Sequence, residues 1–270
     1  NPFMGLWVSF VYWAERSERQ VRMRALVRAP TESYAECLRL DPSRSIDAGK
    51  AIAQHAAYCR VLAECGVEVI PLPPEPDLPD ACFVEDTAVI VGDVAVICRP
   101  GAAPRRRETS AVMEHLARTH HLRWVDRGFI DGGDILLQEY TAYVGLSGRS
   151  DALGASKLER ILEPLNIGVK TVPVERFVHL KLGAAPLGEG EIVQLRGAFL
   201  FGTFGGAEIV EVDEPEGANV LVVEGHAIVD AVATQTRAIL EERGWTVHPV
   251  EFSEFSAGDA GPSCLCLLFE

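Results

Sequence analysis

Residues 86–100, DTAVIVGDVAVICRP, decide the fold. Two β-rich runs flank Gly92-Asp93, and a glycine beside an aspartate between apolar runs is a hairpin signal. The spacing then predicts a helix over roughly 106–118 (RRETSAVMEHLAR) and a strand at HLRWV. The order strand, tight turn, strand, helix, strand returns downstream. DILLQEYTAYVGLS turns at Gln138-Glu139 and leads to a helix near 151–164 and the strand GVKTVPV. EIVQLRGAFLFG reads as a further hairpin. NVLVVEGHAIVDA turns at Glu224-Gly225, ahead of the helix TQTRAILEERG and the strand WTVHPVEF. The first unit is less regular: strand RALVRAP, a helix over about 47–65, and strand VEVIPLP.

Asp86, Asp134, Lys181 and Asn219 recur roughly 40–50 residues apart, a period of blade-like repeats. A ring of such modules, with helices outside, would gather the strand ends around one central mouth. No Pro/Ser-rich linker divides the chain, so residues 23–270 read as a single domain. The apolar run NPFMGLWVSFVYW is too short to span a bilayer. It also lacks the basic n-region and small-residue cleavage site of a signal peptide. Residues 1–22 therefore read as an upstream extension.

The formal net charge is −14, which argues against a nucleic-acid partner. The same acidity suits a small cationic ligand, and equally serves solubility. The cysteines at 37, 59, 65, 82, 98, 264 and 266 are odd in number and irregularly spaced. That is no disulfide framework and points to a reducing, cytoplasmic setting. With no C-x-x-C pair, no metal site is predicted.

Polar residues interrupt the strands at equivalent places. LPDACFVEDTA offers Asp80, Glu85 and Asp86, which would repel one another unless a cation or hydrogen-bond donors sat among them. They read either as substrate carboxylates or as turn caps. DGGD (131–134) is either a simple turn or a close-approach loop whose Asp131 or Asp134 orients a base. His179 follows a strand in VPVERFVHLKLGAA; alone it would be structural, but a distant cysteine would make it a general acid/base. Arg99 and Arg149 end hairpins and could fork onto a carboxylate. In GPSCLCLLFE, alternation puts Cys264 and Cys266 on one strand face, as two core residues, a metal pair, or a nucleophile with a bystander. Dinucleotide, Walker, zinc-protease and nucleophile-elbow patterns are missing.

The ordered set LPDACFVEDTA, CRPGAAPRR, DGGDILL, VGLSGRS, HLKLG and GDAGPSC resembles the dimethylarginine dimethylaminohydrolases, of the amidino-group-modifying (pentein) superfamily. VRAPTESYAECL and CGVEVIPLPP extend the likeness, which runs from about Met23 to the C-terminus. The resemblance implies an α/β fold, a five-bladed α/β propeller of ββαβ modules. It implies Cys264 as nucleophile, His179 as general acid/base and Asp131 as the acidic residue beside that histidine. Asp80, Glu85, Asp86 and Asp259 would contact the guanidinium or α-amino group, and Arg99 and Arg149 the substrate carboxylate. Leu38 would belong to a covering loop, and the backbone at Gly258 would add a contact. The implied reaction converts Nω-methylated arginine to citrulline and dimethylamine or methylamine, without cofactor or metal. The expected partner is that small molecule, with no nucleic acid and no membrane; a homodimer is compatible. Alternatives are an arginine deiminase, an amidinotransferase or a non-catalytic binding module. Lys181 after His-Leu argues against the deiminase branch, whereas Ala260-Gly261-Pro262 departs from the more apolar lead-in of many relatives.

Overall fold

The computed structural model describes residues 22–188 and 190–270. The expected upstream extension therefore lies almost wholly outside the described residues. Five three-stranded sheets follow the chain. The first holds β1 (Arg24–Val27), β2 (Glu68–Pro71) and β15 (Cys266–Phe269), and the second β3 (Ala88–Val91), β4 (Val94–Ile97) and β5 (His121–Trp124). The third holds β6 (Ile135–Gln138), β7 (Thr141–Leu146) and β8 (Gly168–Pro173). β9 (Ala184–Gly188), β10 (Glu191–Leu195) and β11 (Glu208–Val212) form the fourth; β12 (Leu221–Val223), β13 (His226–Asp230) and β14 (Thr246–Val250) form the fifth.

Every sheet combines one antiparallel and one parallel pair. A parallel pair cannot be joined by a tight turn and needs a crossover. Helices α1 (Ala48–Glu64), α2 (Thr109–Leu116), α3 (Ala152–Leu162) and α4 (Thr234–Glu242) make that crossover in four modules. Local chemistry sets their starts: Asp47 accepts the Lys50 N–H at 2.9 Å and Asp151 accepts that of Gly154 at 2.7 Å. The first sheet is composite. β15, from the C-terminus, pairs antiparallel with β1, Val27 opposite Cys266, so the two ends of the chain close the ring. This is the five-bladed α/β propeller that the resemblance implies.

Apolar clusters fill the gaps between adjacent modules, mostly beneath a helix. Leu62 of α1 packs with Phe252, Ile228 and Leu265; Leu158 and Leu162 of α3 pack with Val96 and Val144. The fourth module has no crossover helix. Its gap to the third is filled by aromatics, with Tyr143 and Phe199 each meeting Phe204 edge-on at 5.2 and 5.5 Å. Such pairs contribute about 0.5–1.5 kcal/mol each beyond area burial.

Three sequence expectations are corrected here. EIVQLRGAFLFG is not a hairpin: β10 pairs with the upstream β9, and the residues after it form turns. Gly197, Gly202 and Gly205 there take positive φ, and Phe204 is drawn into the core instead of extending a strand. The third-module turn falls one residue later, on Glu139-Tyr140, with Glu139 at φ 51°. Cys264 and Cys266 do not share a strand, because Cys264 sits in the turn Pro262–Leu265 and β15 begins at Cys266. Among the described residues, no helix is long and apolar enough to cross a membrane.

Candidate active site

A short 3-10 turn leads into the first strand of several modules. Val84–Thr87 precedes β3, Gly132–Asp134 precedes β6, Leu180–Leu182 precedes β9 and Pro262–Leu265 precedes β15. These turns pack against one another at the centre of the ring. Of the recurring polar residues, Asp86, Asp134 and Lys181 lie in these turns, with Asp131 and His179 immediately before theirs, so the repeat brings Glu85, Asp86, Asp131, His179 and Cys264 together. All five are buried.

Glycine makes the approach possible. A Cβ at Gly132 would come within 2.0 Å of the Glu85 carbonyl oxygen. One at Gly133 would lie 2.8 Å from the His179 ring and 2.7 Å from Asp86 Oδ1. The DGGD stretch is thus a close-approach loop as well as a turn. The Gly133 N–H donates to Asp86 Oδ1 at 2.9 Å.

His179 lies between two carboxylates, with Nε2 3.0 Å from Asp131 Oδ2 and Nδ1 3.8 Å from Asp86 Oδ1. Burial alone would depress its pKa, but Asp86, the Asp131 hydrogen bond and Asp134 outweigh it and raise the value to about 9. Asp131 Oδ1 accepts the Gly101 N–H at 2.9 Å, which fixes the carboxylate that orients the ring. Asp134 turns away from the ring to accept Ser147, Ser150 and the Leu180 N–H, clamping the chain next to His179.

The cation that the acidic stretch requires is Arg105, a residue that sequence reasoning passed over. Its Nη1 is 2.7 Å from Asp86 Oδ2 and 3.8 Å from Asp131 Oδ2, and its Nη2 is 2.9 Å from Glu108. Burial opposes its charge, yet Asp86, Glu108, Asp80 and Asp131 raise its pKa further. Asp86 is correspondingly held well below the usual carboxylate range: burial would raise it, and His179 and Arg105 prevail. The one available signal was physical need, an arginine triplet in an acidic chain close to clustered carboxylates. Asp86, Asp131 and His179 could form a metal triad by distance. Arg105 and His179 already occupy the facing oxygens, so this pocket is built as an ion-pair network.

Cys264 is reached through Glu85. Glu85 Oε1 accepts Lys181 Nζ at 2.6 Å and Oε2 accepts Ser263 Oγ at 3.0 Å. Asn219 holds the adjacent turn by accepting the Ser263 N–H at 3.0 Å and donating to Ser263 Oγ and the Lys181 carbonyl. Burial, then Glu85 and Asp86, push the Cys264 thiol far above its ordinary value. Burial likewise lifts Glu85, which Lys181 counteracts. Cys266, unlike Cys264, lines a cavity of about 220 Å³ together with Ala88, Leu137, Ala185 and Val222, and Glu85, Lys181 and Ser263 border it.

The remaining predicted residues surround this centre. Asp80 accepts the Leu38 N–H at 3.1 Å, and Asp259 accepts the Leu40 N–H, so two carboxylates fasten the segment carrying the half-exposed Leu38. Gly258 adjoins it: a Cβ there would lie 2.5 Å from the Tyr34 hydroxyl. Arg149 Nη1 is buried without a hydrogen-bond partner, and Arg149 acts electrostatically on Asp80. Arg99 is committed locally, Nη1 donating to the Gly128 carbonyl.

A family model described as N,N dimethylarginine dimethylhydrolase, eukaryotic, matches residues 28–193. An N(G),N(G)-dimethylarginine dimethylaminohydrolase of Streptomyces coelicolor is 36% identical over 250 residues, covering 90% of this chain and 95% of the relative. The Pseudomonas aeruginosa protein of the same name is 33% identical, covering 90% and 98%. A crystal structure of a Cys-to-Ser mutant of the Pseudomonas aeruginosa enzyme complexed with citrulline superposes with a TM-score of 0.88, at 32% identity, covering 92% of this chain and 99% of that one.

Proposed function

The chain belongs to the dimethylarginine dimethylaminohydrolase family, and from that premise we propose that it hydrolyses Nω-methylated arginine to citrulline and dimethylamine or methylamine, with Cys264 as nucleophile and His179 as general acid and base. The observation that carries this reading is a buried thiol and a buried imidazole in the field of the same carboxylate, Asp86. A pocket so rich in carboxylates favours a cationic substrate over an anionic one.

A guanidinium is a poor electrophile because its charge is delocalised, and it must be held in place to react. Asp80, Glu85, Asp86 and Asp259 are the residues to hold it or the α-amino group. Arg149, whose buried Nη1 has no acceptor among the described residues, suits the substrate carboxylate, with Arg99 at the rim. The Leu38 segment closes over the bound molecule, and the Gly258 backbone borders it. The arriving cation offsets the negative field that keeps the Cys264 proton in place, so that the proton leaves to solvent and the thiolate is favoured. The thiolate adds to the guanidinium carbon. His179, an imidazolium at neutral pH, protonates the departing amine as the C–N bond breaks and an S-alkylthiouronium remains. Neutral His179 then takes one proton from water, whose oxygen attacks the same carbon; as the C–S bond breaks, the remaining hydroxyl proton passes to the departing Cys264 sulfur, releasing citrulline and the resting thiol. Asp131 keeps the ring oriented through both halves. This chemistry is assigned to residues 23–270 as one domain.

The test is citrulline formation from asymmetric dimethylarginine, monomethylarginine and arginine under one set of conditions. Methylated substrates should lead in kcat/KM, by roughly 10–200-fold per methyl if an apolar recess receives it. Arginine as the best substrate would overturn the reading in favour of a deiminase. Turnover that requires an amine acceptor would overturn it in favour of an amidinotransferase.

A further inference from the structure

Apart from the group around Asp86 and Cys264, a second cluster joins the end of α1 to the fifth sheet. Cys65 follows the last residue of α1, with His226 on β13 and His248 on β14. One ligand atom from each lies within 4.8 Å of the others. Cys65 is buried and both histidines are half-buried, which leaves a path from solvent.

The placement follows from register. His226 is level with Thr246 and Ile228 with His248 in the parallel β13–β14 pair. Alternation therefore puts both imidazoles on the face that carries Ile228, which packs with Leu62 and Cys65 under α1. Two polar rings in an otherwise apolar layer need partners. They have each other, His226 Nδ1 lying 2.9 Å from His248 Nε2, and beside them the thiol.

We propose that Cys65, His226 and His248 form a binding site for a divalent, borderline-soft transition-metal ion, Zn²⁺ by ligand chemistry, which clamps α1 onto β13 and β14. Thiolate with imidazoles is a zinc donor set. Tetrahedral zinc with Zn–N of about 2.0–2.1 Å sets its two nitrogens about 3.3 Å apart, so the rings need separate by only a few tenths of an ångström. A third ligand from sulfur would sit about 3.6 Å from each nitrogen, inside the observed spread. The ion replaces the Cys65 proton, which leaves to solvent; the N–H between the rings moves to the far nitrogen of its own ring. Three protein ligands leave the fourth position to water. The site also favours positive charge, since the carbonyl end of α1 is the negative pole of its dipole and Glu64 acts on His248. α1 belongs to the first module and β13–β14 to the fifth, so the ion would bridge the seam at which the ring closes.

Co²⁺ and Zn²⁺, added to metal-stripped protein, test this. Wild type and Cys264→Ser should each bind one Co²⁺ with a thiolate-to-cobalt charge-transfer band and tetrahedral d–d bands, all erased by Zn²⁺. Cys65→Ser should lose the charge-transfer band, and His248→Gln, at a half-exposed position, should weaken binding at least about tenfold. Zn²⁺ should raise the Tm of Cys264→Ser and leave that of His248→Gln unmoved. Loss of the charge-transfer band in Cys264→Ser, its survival in Cys65→Ser, or its absence from wild type would overturn the proposal. If Cys65→Ser fails to fold, undiminished cobalt affinity in His248→Gln overturns it equally.

Discussion

Two histidine clusters in one ring show how surroundings decide what an imidazole can do. His179 is buried among Asp86, Asp131 and Asp134, which overcome desolvation and raise its pKa to about 9. His248 has a second imidazole and a thiol as neighbours; burial first, then His226, lowers its pKa. The first ring is kept charged and can give a proton away, while the second is kept neutral and offers a lone pair. Around His179 three carboxylates outweigh burial, whereas around His248 Glu64 does not offset burial and His226.

The strongest way to break the comparison is to remove the group that the charged ring is proposed to serve. Cys264→Ser should lower kcat by about 10⁴–10⁶-fold, because a hydroxyl is a far weaker nucleophile here; steady-state citrulline formation reads this directly. Asp131→Asn sharpens it by moving His179 toward the behaviour of the other cluster. Turnover should drop about 10²–10⁴-fold. The sign of the pH effect follows from the raised pKa: the imidazolium binds its proton more tightly folded than unfolded. Its stabilisation is complete below the ordinary value of 6.5 and is lost as pH rises through about 9. In Asp131→Asn that loss should be smaller and complete at a lower pH, visible in urea midpoints measured across pH 6–10 and compared with wild type.

Arg105→Met tests whether the carboxylate cage depends on its central cation. Asp86 and Glu108 would be left buried without it, at a cost of about 3–5 kcal/mol, read from denaturant unfolding. Cys266→Ser should cost only about 1–3 kcal/mol of stability and keep kcat, since burial above all keeps that thiol protonated, pushed up to about 12. Smallest is Glu85→Gln, with a loss of about 1–2 kcal/mol in kcat/KM terms. Unchanged kinetics there would leave Glu85 a structural partner of Lys181 and Ser263.

The legible parts of the fold were those written in local code. Gly92-Asp93 and Glu224-Gly225 turn where the sequence says, and Asp47 and Asp151 start their helices, because backbone geometry at those points depends on one or two residues. The crossover of the fourth module was misread because Ala198, Phe199, Leu200 and Phe201 suit a strand, and only tertiary packing, which sets Phe199 against Phe204, chooses otherwise. In the site, Cys264, His179 and Asp131 could be named through the order of the motifs, although no spacing along the chain places them side by side. Arg105 stayed hidden since its partners Asp80, Asp86 and Asp131 lie in other turns, and one member of an arginine triplet looks like the next. Cys65, His226 and His248 stayed hidden for the same reason: sheet register and helix packing bring them together.

The two terminal cysteines offer the most direct measurement. Turnover of asymmetric dimethylarginine should be quenched in acid within the first catalytic cycle and the C-terminal peptide fragmented by mass spectrometry. A covalent adduct with the mass of the substrate less dimethylamine should appear on Cys264 and on no other cysteine. The same adduct on Cys266, or citrulline accumulating at full rate in Cys264→Ser, would contradict the account.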